Sequence, residues 1–206
     1  MANLLPPPPV SLQTIHMAGI LVDVYGLDEL KSLSDGNKDG STAGVTFLWL
    51  HHPRGGKKED MADIAARAVA GWREHQTAVP ALDGRHGLVA LALDQRNHGT
   101  RLVAEAANKA WREGNPTHAQ DMFGVIAGTV ADTRGLMDVA EGYLFPGPHP
   151  PAVGHMVLGV SLGGHSGWQL MFADERVTAG VLVIGCPDVM GGESILRGWV
   201  ALADDC

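Results

Sequence analysis

The sequence predicts a three-layer α/β sandwich built on a mostly parallel β-sheet. Short apolar runs, typical of strands buried on both faces of a sheet, alternate along the chain with longer helix-compatible segments. This alternation favours βαβ units with helices on both sides of the sheet. With 206 residues and 45% hydrophobic content, the chain is also long and apolar enough to build one sizeable core.

Each element can be placed on the chain by its pattern. The predicted strands cover residues 20–27, 45–52, 88–94, 155–161 and 179–185. The predicted helices cover residues 58–75, 100–114 and 119–144, and the polar segment 31–42 and the proline-rich segment 145–154 are predicted as loops. We predict that residues 1–18, which contain four consecutive prolines, are an N-terminal tail, and that residues 19–206 form a single, incomplete domain.

Composition excludes several classes of partner. The formal net charge is -8 and the isoelectric point is near 5.6, which argues against binding to nucleic acid or to anionic membrane surfaces. No apolar run approaches the ~20 residues that a membrane-spanning helix needs, so we expect a soluble, cytoplasmic protein. Cys186 and Cys206 are the only cysteines, and they predict no disulfide framework. The sequence implies neither a metal nor a cofactor.

The segment around Ser161 carries the main functional signal. Gly159-Val160-Ser161-Leu162-Gly163 follows an apolar strand and precedes a helix-compatible segment. The two glycines allow a tight turn from strand to helix, which leaves the serine hydroxyl exposed at the helix N-terminus. Backbone N–H groups and the helix dipole at that point would stabilise a developing oxyanion. The alternative is a glycine-rich turn whose serine only caps the helix.

This motif, and the order of the segments around it, resembles the α/β-hydrolase family over most of the chain. The resemblance implies that Ser161 is the nucleophile and that an oxyanion loop follows the strand 45–52. In the family a histidine-glycine pair and one further residue form this loop, whereas here the residues are HHPRGG and Pro53 has no N–H group. We therefore assign the oxyanion donors to the backbone N–H groups of Arg54 and Leu162.

The resemblance also implies a set of residues that shape the site. The segment DQRNHG is similar to a D-x-R-x-H-G segment that follows the fourth strand of the family. Asp94, Arg96 and His98 are interpreted as a polar network beside the site, without a direct part in the chemistry. His51 and His52 are interpreted as residues that anchor the oxyanion loop.

The acid and base are the least complete part of the pattern. The family carries both after the nucleophile in chain order. Asp188 stands where some members carry the acid, although a turn that caps a helix would explain it equally well. His165, four residues after Ser161, is the last histidine, and its spacing points it along the helix surface. We therefore expect a chain truncated after its sixth strand, whose exposed apolar edge favours self-association.

Two classes of function remain open. One is a serine hydrolase that cleaves an ester or other acyl bond of a small molecule through Ser161. The other is a catalytically inactive, truncated hydrolase fold that acts as a binding module. Residues 108–125 are a candidate cap, in which Trp111, Met122 and Phe123 either line an acyl pocket or only pack between helices. A Rossmann nucleotide site is disfavoured because the G-x-G-x-x-G spacing is absent.

Overall fold

One mixed sheet organises the protein. The computed structural model describes residues 5–30, 44–78, 86–145 and 152–187. Six strands follow the order β1-β2-β4-β3-β5-β6, and β3 to β6 run parallel, whereas β1 and β2 are antiparallel to their neighbours. The strands are β1 (Leu12–Met17), β2 (Ile20–Tyr25), β3 (Gly44–His51), β4 (His86–Leu93), β5 (Ala152–Val160) and β6 (Val177–Val183). The predicted mostly parallel sheet is confirmed.

Helices cover both faces of this sheet and complete the three layers. Helix α1 (Ala62–Ala78) packs on one face, where Ala65 and Val69 join apolar side chains of β3 and β4. Helices α2 (His118–Leu144) and α3 (Leu162–Ala173) pack on the other face. None of these helices, in the ranges that the structure describes, is long and apolar enough to cross a membrane.

The predicted ends of the segments that form α1 and α2, and of the proline-rich loop, are close to the observed ones. The segment 58–75 begins as the 3₁₀ turn Lys58–Met61 and continues as α1, while α2 begins one residue before its prediction. Strand β5 takes the last three residues of the predicted loop 145–154, because Ala152 already pairs with Val45 of β3. The predicted loop 31–42 lies outside the described residues.

Strand β1 lies within the segment predicted as a tail. It pairs antiparallel with β2 across a two-residue turn, Ala18 and Gly19, whose φ angles are both positive. Only its first two residues reverse the usual alternation: Leu12 is 53% exposed, whereas Gln13 is half-buried. Ile15 and Met17 then face the core, and together with the pairing to β2 they hold β1 in place.

The helix predicted over residues 100–114 is wrong. Side chains of two asparagines occupy the backbone groups that a helix would need. The Asn97 carboxamide oxygen accepts hydrogen bonds from the N–H groups of Val103 (3.0 Å) and Ala104 (2.8 Å), and the Asn115 side chain donates to the carbonyl oxygens of Ala107 (3.0 Å) and Lys109 (3.2 Å). The segment instead forms the 3₁₀ turns Gly99–Arg101, Glu105–Asn108 and Trp111–Glu113.

Strand β6 is an edge strand of the sheet that the described residues form. Val181 is 57% exposed and Val183 is 42% exposed, and no charged residue interrupts the strand. An uninterrupted apolar edge favours pairing with another chain.

We propose self-association through β6, so Val181→Lys should raise the monomer fraction in sedimentation velocity. Val153→Lys, at an exposed valine of the inner strand β5, is the control, and a wild-type chain that is monomeric at every concentration would contradict the proposal.

Candidate active site

Ser161 occupies the tight turn between β5 and α3. Its backbone has φ 53° and ψ -113°, in a region that costs a non-glycine residue free energy and that is concentrated at functional sites. It stands at the N-cap position of α3, yet its hydroxyl makes no capping hydrogen bond. The alternative of a serine that only caps the helix therefore loses its physical basis, because the defining hydrogen bond is not formed.

The two glycines of the motif are required by close approaches of the backbone. A Cβ atom at Gly159 would lie 2.0 Å from the carbonyl oxygen of Gly163. A Cβ atom at Gly163 would lie 2.1 Å from the carbonyl oxygen of His51, at the end of β3. The first turn of α3 thus packs directly against both β5 and β3, as a strand-turn-helix elbow requires.

The predicted oxyanion loop begins where β3 ends. Gly56 N–H donates to the carbonyl oxygen of Pro53 (3.0 Å), and Gly55 has φ 73°, as in a type II turn. Arg54 is the second residue of this turn, so its N–H group takes no part in the turn's own hydrogen bond. Because His51 pairs with Gly159 in the sheet, the loop leaves the sheet beside the elbow, where Leu162 begins α3.

His52 anchors this loop with both of its ring nitrogens. Its Nε2 accepts a hydrogen bond from the backbone N–H of Gln95 (3.0 Å), so Nδ1 carries the proton and donates to the carbonyl oxygen of Pro53 (2.8 Å). Burial lowers the pKa of His52 below its ordinary value, which keeps the ring neutral. His98 lies against it, with the ring centroids 5.3 Å apart. His52 therefore has no nitrogen free for proton transfer.

Asp94 joins two loops and has a buried carboxylate. It accepts hydrogen bonds from the backbone N–H groups of Lys58 and Thr100 (both 2.8 Å) and from the Thr100 hydroxyl (2.7 Å). Burial by itself would raise the pKa of Asp94, but these hydrogen bonds hold the pKa below its usual value. The three donors suit a carboxylate that holds the loops together.

Arg96 is directed to helix α2. Its guanidinium makes a bidentate ion pair with Asp132 (3.1 and 2.8 Å) and packs over Gly128, where a Cβ atom would lie 2.3 Å from Arg96 Cδ. The structure therefore places Asp94 and His98 of the predicted polar network beside the loop anchor His52, while Arg96 is ion-paired with the neighbouring helix α2.

Gln95 is a buried polar residue that the sequence argument passes over. Its side-chain amide donates to the carbonyl oxygen of His52. Its amide oxygen lies within hydrogen-bonding distance of the hydroxyls of Ser166 on α3 (3.2 Å) and Thr129 on α2 (3.4 Å). One signal was available: a polar residue directly after a buried strand lies at the carboxyl edge of a parallel sheet, where sites are built.

His51 is fully buried beneath the elbow. The Thr133 hydroxyl donates to the carbonyl oxygen of Thr129 (2.8 Å), so its oxygen accepts a hydrogen bond from Nε2 of His51 (3.0 Å). Burial, with a smaller contribution from His52, lowers the pKa of His51 from 6.5 to about 3. The ring is therefore neutral in the folded protein at any pH near neutrality.

This pKa shift predicts acid sensitivity. Below pH 6.5 the unfolded chain protonates at His51 while the folded chain does not, so the free energy of unfolding should fall by about 1.4 kcal/mol per pH unit for this group. Denaturant unfolding measured from pH 6.5 to 4.5 should contain this contribution, added to those of other buried histidines such as His52. His51→Gln keeps a polar group for Thr133 but cannot titrate. Its free energy of unfolding should therefore fall less steeply, by about 1.4 kcal/mol per pH unit. Equal slopes would contradict the burial argument.

Among the described residues, no histidine side chain is hydrogen bonded to the Ser161 hydroxyl. Nδ1 of His165 lies 3.0 Å from both the N and the O of Cys186, and the His165 backbone N–H donates to the Ser161 carbonyl oxygen (3.0 Å). Nε2 of His98 is buried without a hydrogen-bond partner in the described ranges. Asp188, the predicted acid, lies outside the described residues.

Apolar side chains of α2 meet the elbow. Met122, Val125 and Ile126 form a buried cluster with Leu162, the residue after Ser161. Trp111 and Phe123 are each 37% exposed, and Trp111 packs edge-on against His118 with ring centroids 4.8 Å apart. Of the three predicted pocket residues, Met122 thus packs beside the elbow, while the other two reach the surface of the 108–125 segment.

A second feature of the described residues lies away from the elbow. An open groove lies where α3 ends and β6 begins, at the opposite end of the strands from Ser161. It is lined by Arg134, Phe172 and residues 173–176. In the part of the chain that the structure describes, no three histidine, cysteine or carboxylate side chains are grouped to hold a metal ion. Among the described residues, the elbow and the neighbouring oxyanion loop are therefore the candidate site.

Solved structures resemble this chain in fold. TT1662 from Thermus thermophilus matches 94% of this chain and 68% of its own length, with a TM-score of 0.57 and 18% identity. A dienelactone hydrolase-like promiscuous phosphotriesterase, P91, from metagenomic libraries matches 85% of this chain and 59% of its own length, with a TM-score of 0.50 and 17% identity. The chain has the α/β-hydrolase fold.

The similarity to these two structures is limited in length and in sequence identity. This chain spans only 68% and 59% of the lengths of these two structures. No family model matches the sequence, and no curated protein matches it. At identities of 17% and 18% the likeness concerns the α/β-hydrolase fold, and the chemistry has to be argued from the residues of this chain.

Proposed function

We propose that this α/β-hydrolase fold carries the nucleophile and oxyanion site of a serine hydrolase that cleaves an ester or other acyl bond of a small molecule. The observation that carries the proposal is the conformation of Ser161. Its φ is 53°, and its hydroxyl lies at the N-terminus of α3 without making a capping hydrogen bond. Strain of this kind is retained where the surrounding structure enforces it, and here the close contacts at Gly159 and Gly163 enforce it. The fold likeness to a dienelactone hydrolase-like phosphotriesterase agrees with ester chemistry.

The proposed reaction has two steps. The Ser161 oxygen attacks the carbonyl carbon while its proton passes to a base; the bond to the leaving group then breaks, and the leaving group takes up a proton. Water next attacks the acyl-serine, which releases the acid and restores the hydroxyl. Because no described histidine contacts the hydroxyl, we expect acylation of this chain to be slow. Oxyanion stabilisation and binding alone give about 10³- to 10⁴-fold over water in dismantled serine hydrolases.

The oxyanion would be held by the N–H groups of Arg54 and Leu162. The first lies on the turn after β3 and the second begins α3, whose dipole also favours negative charge. The buried cluster of Met122, Val125 and Ile126 beside Leu162 suits an apolar acyl group.

Covalent labelling tests the proposal. A fluorophosphonate probe should label the chain slowly and at a single position, and peptide mapping should place the adduct on Ser161. Rapid labelling there would mean that a base such as His98 or His165 is in reach. Absence of an adduct on Ser161 would contradict the hydrolase and favour the second function class, an inactive binding module.

The oxyanion donors give a separate prediction. Arg54→Pro removes one N–H group at a turn position that accepts proline, so it should slow the labelling of Ser161 by about 10²-fold or more. Arg54→Ala is the matched control, since it removes the hydrogen bond from the side chain to Asn108 but keeps the backbone N–H. If the two variants label at the same rate, the N–H of Arg54 is not a donor.

A further inference from the structure

We propose that Gln95 is a positioning residue, whose side-chain amide sets the separation between the two oxyanion donors. The inference rests on the proposed function, because it concerns the same site. Arg54 and Leu162 lie on separate segments, one after β3 and the other at the start of α3. A side chain that is hydrogen bonded to both segments can hold the two N–H donors at the spacing that a reacting carbonyl oxygen needs.

Gln95 makes such a connection. It is completely buried, two residues after the end of β4. Its amide nitrogen donates to the carbonyl oxygen of His52, two residues before Arg54. Its amide oxygen lies 3.2 Å from the hydroxyl of Ser166, a residue of α3 four positions after Leu162. One side chain therefore links the oxyanion loop to α3.

An amide suits this position. Its nitrogen donates to a carbonyl oxygen at one end and its oxygen accepts from a hydroxyl at the other, whereas an ionised carboxylate only accepts and a thioether does neither well. The backbone N–H of Gln95 separately holds Nε2 of His52 (3.0 Å), and that hydrogen bond does not depend on the side chain. A side-chain variant therefore tests the link while His52 keeps its own anchor.

Gln95→Met is the variant, and Gln169→Met is its matched control. Gln169 is a buried glutamine on α3 whose amide also donates to a backbone carbonyl, that of Pro187 (3.1 Å), but it does not contact the oxyanion loop. Three measurements apply to both variants and to wild type: the rate of fluorophosphonate labelling at Ser161, the ³¹P chemical shift of the adduct, and amide hydrogen exchange of residues 52–57. Denaturant unfolding monitors the stability of each protein.

Gln95→Met should slow labelling by about 10- to 100-fold, move the ³¹P signal and speed exchange in residues 52–57. Gln169→Met should lose stability without these three changes. If Gln95→Met only loses stability, with the labelling rate, ³¹P signal and exchange as in wild type, Gln95 is structural and the inference is wrong while the proposed function stands. If wild type does not label at Ser161, the proposed function fails, and the catalytic role of Gln95 fails with it.

Discussion

Replacing Ser161 with alanine should abolish covalent acylation. Wild type incubated with an activated aryl acetate should gain one acetyl group by intact mass, and the adduct should persist, because deacylation also needs a base. Ser161→Ala should gain none at this site. The loss is expected to be complete, since the variant has no oxygen at the turn to accept the acyl group. Retention of a full acetyl mass in Ser161→Ala would assign the modification to another residue.

Two further variants sharpen this test. Ser161→Cys should acylate faster than wild type, because a thiol with a pKa of about 8.5 ionises far more readily than a hydroxyl and depends less on a base. Ser11→Ala removes a distant serine, hydrogen bonded to Glu29, and should acylate like wild type. A cysteine variant that stays unreactive would mean that substrate does not reach the turn, which supports the binding-module alternative.

Gly163→Ala should strongly destabilise the protein. The new Cβ atom would lie 2.1 Å from the carbonyl oxygen of His51, and neither backbone can move without disturbing β3 or the elbow. We expect a loss of about 3 kcal/mol, at the upper end of the usual range for overpacking. Denaturant unfolding at pH 7.5 measures the change.

Gly135→Ala is the matched control for this prediction. It adds the same methyl group to an exposed position of α2, where nothing lies within 4 Å. The substitution should raise stability by about 0.5–1 kcal/mol, since alanine loses less backbone entropy than glycine in a helix. Equal effects of the two substitutions would show that the contact between α3 and β3 is not tight.

Much of the fold and the position of the elbow could be predicted because both are local patterns. Buried strands read as apolar runs, and the spacing of Gly159 and Gly163 around Ser161 marks a tight strand-to-helix turn. The structure adds the reason for the glycines, which is the approach of α3 to the ends of β5 and β3. Strand β1 was not predicted because only two of its six residues, Ile15 and Met17, are both apolar and inward-facing, and Leu12 and Gln13 reverse the usual alternation.

The segment 100–114 shows where propensity fails. Its composition favours a helix, but the side chain of Asn97 binds the N–H groups of Val103 and Ala104 and so competes with helical hydrogen bonds. Lys58 is a second case. It looks like a solvent-exposed residue at a helix start, yet it is only 5% exposed and its ammonium group lies 3.0 Å from Asp23 of β2.

The sequence by itself determined the sheet, the layers and the turn that carries Ser161, because periodicity and glycine spacing act over a few neighbouring residues. Only the tertiary structure decided what supports that turn. Gln95 meets Ser166 across 71 residues of sequence, and His51 meets Thr133 across 82. Such hydrogen bonds form only after the sheet order has brought β3, β4 and two helices together, so no local pattern encodes them.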